Sequence, residues 1–147
     1  MAFYGDLMSI KERLGPMAVS SDTYDLDLTN KNEDASDFVV MKLQEFPSIF
    51  PTPTTMIGSD KIRLDRITND LAAALYLEDR SIRARQSRDP EIERWAIVFR
   101  RRSMVELEQF IRTKSVAAGT GIAFMPDFAK IEGTGIAGSD LNPRTGF

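Results

Sequence analysis

The chain has 147 residues, a formal net charge of −3, and neither His nor Cys. Without imidazole or thiol it cannot build a Ser-His-Asp or Cys-His catalytic site, a zinc centre of Cys and His ligands, or a disulfide. The chemistry left open is that of carboxylates, a lysine nucleophile, or oxygen-ligated calcium or magnesium, and nothing in the composition argues for secretion.

The opening MAFYGDLMSIKERLG carries acids early and no continuous apolar stretch, so it reads as neither signal peptide nor membrane anchor. The expectation is a cytoplasmic chain, or part of something assembled there. Within it, the spacing of Leu7, Ile10 and Leu14 predicts a first helix over Asp6–Leu14, closed by Gly15-Pro16. Residues 17 to 33 are polar and acidic. There the alternation of Tyr24, Leu26 and Leu28 with Asp25, Asp27 and Thr29 reads as a short strand or an extended loop.

A second helix is expected from about Glu33 to Phe46, with Val39, Leu43 and Phe46 on one stripe and Ala35, Phe38 and Met41 widening it. Pro47, Pro51 and Pro53 then forbid regular structure. The apolar residues of that loop, Ile49, Phe50, Met56 and Ile57, call for burial. Ser59 suits the N-cap of a third helix, whose stripe is Leu64, Ile67, Leu71, Ala74 and Leu75. Asp89-Pro90 marks the start of a fourth helix reaching about Lys114. Its inner face would hold Ile92, Trp95, Ala96, Phe99, Ser103, Leu107 and Phe110, and its outer face Arg94, Arg101, Glu108 and Arg112. The expected core includes Leu71, Leu75, Trp95, Phe99, Leu107 and Phe110.

Residues 115–147 differ from everything before them. They are too rich in Gly for a helix, yet keep large apolar side chains, and repeat Gly-Thr-Gly-Ile-Ala at 119–123 and 133–137. A free end is normally poor in such side chains, because it has no core in which to bury them. The segment therefore reads as an extended arm that lies along another protein. The expected fold is all-α: a helical body at 1–114, a small bundle of about four helices, with an extended Gly-rich C-terminal arm at 115–147. Charge divides along the chain as well. Residues 1–59 hold 4 basic and 9 acidic side chains, and residues 60–114 hold 13 and 10.

Three motifs invite sharper readings. The Gly-Thr-Gly repeats follow a helix where a phosphate loop needs a strand before and a helix after, so they read as flexible joints. Arg100, Arg101 and Arg102 fan across about 200° of a helix among Glu91, Glu93, Glu106 and Glu108, which suits a solvated or salt-bridged face better than a phosphate-facing stripe. The acids Asp22, Asp25 and Asp27, and Glu33, Asp34 and Asp37, lack the glycine and spacing of a calcium loop. No catalytic, cofactor or metal site is expected.

Taken in order, the segments resemble the head–tail connector (adaptor) proteins of tailed bacteriophages. The resemblance lies in a short helix after an opening like DLMSIKERLG, a helix of the type DASDFVVMKLQEF and a proline-containing loop. An alanine-rich helix like ITNDLAAALYLEDRS follows, then a long helix such as DPEIERWAIVFRRRSMVELEQFI and a C-terminal arm. It implies a structural virion protein, not an enzyme, forming an oligomeric ring (typically a dodecamer) between the portal protein and the stopper or tail-side neck protein. DNA would pass through the ring without sequence-specific binding, with no membrane involved. The protein would reside in the virion neck after assembly in the host cytoplasm. The arm would dock on the portal, with Phe124, Met125, Phe128, Ile131, Ile136, Leu141 and Phe147 as contacts. The alternative is a helical DNA-binding or regulatory protein that uses the Arg-rich helix 89–114.

Overall fold

The computed structural model describes residues 2–17, 24–83 and 90–119, with side chains for all of these except 81–83. Among the described residues there are four α-helices and no strand: α1 (Leu7–Leu14), α2 (Tyr24–Gln44), α3 (Gly58–Arg83) and α4 (Pro90–Ala117), with a 3₁₀ turn at Gly15–Met17 after α1.

Local signals set several helix ends. Asp6 caps α1 by accepting the Met8 and Ser9 N–H groups at 3.2 and 3.3 Å. The Ser9 hydroxyl also donates to it, and this bond, with the two N–H donors, holds the Asp6 carboxyl below the ordinary carboxylate range. Gly15, at φ +49, ends the helix, and its N–H donates to the Lys11 carbonyl. Pro90 opens α4, where a missing N–H has no consequence.

The start of α2 corrects the sequence reading, which placed it at Glu33 and took Tyr24–Leu28 for strand or loop. Those residues are helical from Tyr24 onward. Leu28, Ala35, Val39 and Leu43 all lie buried on one helical stripe. Leu26 points outward, so its alternation with Tyr24 and Leu28 has no sheet behind it. Tyr24 packs edge-on against Tyr76 of α3 at 5.8 Å, and Asp25 pairs with Lys11 of α1 at 2.6 Å. Tertiary contacts of this kind outweigh a weak local pattern. The segment from Asp25 to Glu33, with its alternating oxygens, is thus helix and not an ion-binding loop.

Helix α3 is the centre of the body. It packs against α1 and α2 and also against α4, so every residue from Ile67 to Ala74 is buried. The small side chains of Ala72, Ala73 and Ala74 let its neighbours approach closely on several sides. Gly58 (φ +67) opens α3, so Ser59 lies within its first turn and does not cap it from outside. Helices α3 and α4 run antiparallel: Asp60 pairs with Lys114 at one end and Glu78 with Arg100 toward the other.

Two apolar clusters form the core. One gathers Ile10, Leu14, Leu28, Leu71, Leu77, Ile92 and Phe99; the other joins Val39, Leu43, Leu64, Leu107 and Phe110. In the proline loop Phe50 is buried and stacks on Phe110 at 5.8 Å. Ile57, expected to be buried, is exposed, and so is Met41 of α2. Trp95 is a further correction. It is 37% exposed and only leans on Phe99 at 5.7 Å, because it stands at the margin of the α4 stripe that Ile92, Ala96 and Phe99 centre. Helix α4 continues past the expected body boundary at 114, and Ser115 is buried.

The chain ahead of α1 threads across the bundle as a strap, a feature the sequence reading missed. The Phe3 and Tyr4 N–H groups both donate to Ser36 Oγ of α2, at 2.8 and 3.1 Å. On α3, Asp65 Oδ1 accepts the Gly5 N–H at 2.9 Å and Asn69 Oδ1 accepts the Asp6 N–H at 2.8 Å. The buried Tyr4 hydroxyl donates to the Pro53 carbonyl and accepts from the Met56 N–H. Burial pushes its pKa up. The strap thereby ties α2, α3 and the proline loop together.

Candidate interaction surfaces

The residues expected to contact a partner, Phe124, Met125, Phe128, Ile131, Ile136, Leu141 and Phe147, lie outside the described residues, as do the two Gly-Thr-Gly-Ile-Ala copies apart from Gly119. What the structure defines is the root of this segment. The α4 ladder closes with Ala118 N–H on the Lys114 carbonyl at 2.9 Å and Gly119 N–H on the Val116 carbonyl at 3.0 Å. Gly119 has φ +71, the left-handed conformation usual just past a helix C-terminus. The root is firmly set in the body. Lys114 pairs with Asp60 at 2.7 Å, and the Lys114 ammonium and the Arg63 guanidinium both lie over the Phe110 ring, at 5.9 and 5.1 Å. Exposed Ile57 and Val116 stand at this same end of the α3–α4 pair.

Three arginines of α4 show two uses. Arg94 takes Glu91, three residues back on its own helix, at 3.5 Å. Arg100 and Arg102 reach across to α3 instead. Arg100 makes a two-pronged bond to Glu78 at 2.6 and 2.7 Å, which raises its pKa further. Arg102 forks onto Asp70 at 3.1 Å to each oxygen while lying over Phe99 at 5.2 Å. These two guanidiniums clamp helices together, which leaves them poorly placed to meet phosphates.

Asp70 is the buried polar centre of the body, with a side chain only 4% exposed. Arg13 of α1 donates to it at 2.6 Å, opposite Arg102 of α4, so one carboxylate links three helices. Glu106, one turn beyond Arg102, faces the same centre. Burial first, then the neighbouring Asp70 carboxylate, pushes Glu106 above the ordinary range, against the pull of Arg102 and Arg66. One of its oxygens, Oε1, is buried without a hydrogen-bond partner. The arrangement is a structural ion network.

Among the described residues no group of three or more Asp or Glu side chains is placed to hold a metal ion, and no helix is long and apolar enough to cross a membrane. The chain matches no protein-family profile, no curated protein and no solved structure.

Proposed function

We propose that the chain is a structural protein of a tailed-phage neck, a ring-forming connector between portal and tail that lets DNA pass and docks through its C-terminal segment. The observation that supports this reading most is the organisation of the body: a short capped helix, a second helix, a proline loop, an alanine-rich central helix and a long last helix, in the order the resemblance calls for. The body closes at Gly119, and the 28 residues that follow, 120–147, hold apolar side chains spaced by glycine. Ordering such a segment costs about 1–2 kcal/mol of backbone entropy per residue. Docking recovers that through Phe124, Met125 and Phe128, at about 1.5–3 kcal/mol for each large side chain fully buried. On docking, the backbone between the Gly-Thr-Gly-Ile-Ala copies would add as a strand to an exposed sheet edge. Engagement of Arg100 and Arg102 within the body weighs against the reading of helix 89–114 as a DNA-binding element.

The test is attachment to a tailed-phage portal ring taken from the same source as this chain. Full-length protein should co-sediment with the portal ring, whereas a chain ending at Gly119 should fold and stay unattached. The substitutions Phe124→Ala with Phe128→Ala should weaken attachment and leave the melting temperature of the body unchanged. Normal attachment of the truncated chain would remove the arm from this role. Tight duplex binding that collapses with added salt would move the reading to nucleic-acid recognition.

A further inference from the structure

Helices α2 and α4 both pack on α3 and each turns one face away from it. On α2 the outward stripe is Leu26, Asn30, Asp34, Asp37 and Met41, all exposed. It joins two carboxylates to apolar side chains that are 60% (Leu26) and 50% (Met41) exposed. On α4 the outward stripe runs through Arg94, Ile97, Val98 and Arg101, all exposed, and on through the half-buried Val105 and Glu108 to exposed Arg112. There, three guanidiniums outnumber the one carboxylate, Glu108, and flank apolar side chains that are 62% (Ile97) and 39% (Val98) exposed. Both stripes follow helical spacing at about 100° per residue, so each is a continuous band along its helix. One band is acidic and apolar, the other basic and apolar. Large apolar side chains set in a rim of charge mark association surfaces.

We infer that these two faces bind each other between copies of this chain: the α2 stripe of one subunit lies on the α4 stripe of the next. The assignment rests on the proposal that the chain assembles with itself, and it names the surfaces. Opposite charges select the pairing, because α2 against α2 would oppose carboxylates and α4 against α4 would oppose guanidiniums. A contact between two different faces is heterologous. It repeats head to tail, and it closes into a ring when the rotation per subunit allows. The burial of Leu26, Met41, Ile97 and Val98 supplies the non-directional attraction, and the charges set register and partner.

The experiment is charge reversal with complementation, read by sedimentation of the full chain over rising concentration. Asp34→Lys with Asp37→Lys makes both faces basic, and Arg94→Glu with Arg101→Glu makes both acidic. Each variant alone should associate about 100-fold or more weakly than the unaltered chain, since like charges now meet. An equimolar mixture should regain assembly, with the two variants alternating around it. Far-UV circular dichroism and melting of each variant check that the exposed substitutions leave the fold intact. If both variants assemble as the unaltered chain does, the faces are wrongly assigned while self-assembly stands. Loss in each variant without recovery in the mixture rejects the α2-to-α4 pairing. An unaltered chain that stays monomeric throughout overturns self-assembly and the pairing together.

Discussion

Gly5 has little room for any other residue. Its φ is +92, and a Cβ there would stand 2.1 Å from Asn32 Oδ1 and 2.9 Å from Thr68 Cγ2. The strap needs this backbone to aim the Gly5 N–H at Asp65. Gly5→Ala should therefore destabilise the body by about 1–3 kcal/mol, measured by urea unfolding, and an unchanged midpoint would mean that the strap yields without cost. Glu106 offers a test with a sign. Its folded pKa lies above its ordinary value, so stability from its protonated form is present below the unfolded pKa and is lost as pH rises through the folded one. At neutral pH the charged side chain thus opposes folding. Glu106→Gln should raise the melting temperature at pH 7, and the gain should shrink toward zero as pH falls to the ordinary glutamate range. A gain that is independent of pH would point to packing instead of charge. Neither residue was legible beforehand, because one depends on what lies across the strap and the other on a carboxylate 36 positions away in the chain.

At the scale of elements, α4 shows how far periodicity reaches. Ile92, Ala96, Phe99, Leu107 and Phe110 were placed on its inner face and are buried there. Trp95 was placed with them and is not, since an apolar stripe read from spacing has no sharp edge. The two aromatic side chains should behave differently. Phe99→Ala should cost about 3–5 kcal/mol, whereas Trp95→Ala should cost clearly less, because Trp95 is already 37% exposed. Equal losses in denaturant titrations would place Trp95 in the core after all. The first nine residues of α2 were misread for the converse reason. Their local pattern is weak, and the helix there depends on contacts that Tyr24 and Asp25 make with α3 and α1.

The body as a whole is held at its centre by α3 and at its margin by the strap. Deleting residues 1–5 removes the N–H donors on Ser36 and Asp65 and the Tyr4 links to the proline loop. The expected cost is about 0.5–1.5 kcal/mol for each hydrogen bond lost, added to the loss of the buried Tyr4 ring. Thermal melting should show a clear fall. Ending the chain at Gly119 should leave that melting temperature where it was, since the α4 ladder is already closed there. If truncation at Gly119 lowers it as much as the N-terminal deletion does, the C-terminal segment packs on the body and is no separate arm.

Much of this protein was determined by sequence alone. The all-α class, the order of the helices, the close of α1 at Gly15, the start of α4 at Pro90 and most of the α3 and α4 core follow from signals a few residues long. Helical spacing, a capping carboxylate, glycine at positive φ and proline act on their own neighbourhood, whatever the rest of the chain does. Only the tertiary structure decided the early start of α2, the strap, and Asp70 as the joint of three helices. The strap and the Asp70 joint rest on bonds between residues 32 to 63 positions apart, and the start of α2 on contacts 14 and 52 positions apart. Ser36, Asn69 and Asp70 look like ordinary polar positions on a helix until folding brings the strap, Arg13 and Arg102 against them. A buried polar side chain is defined by its partner, and no local pattern names a partner that far away.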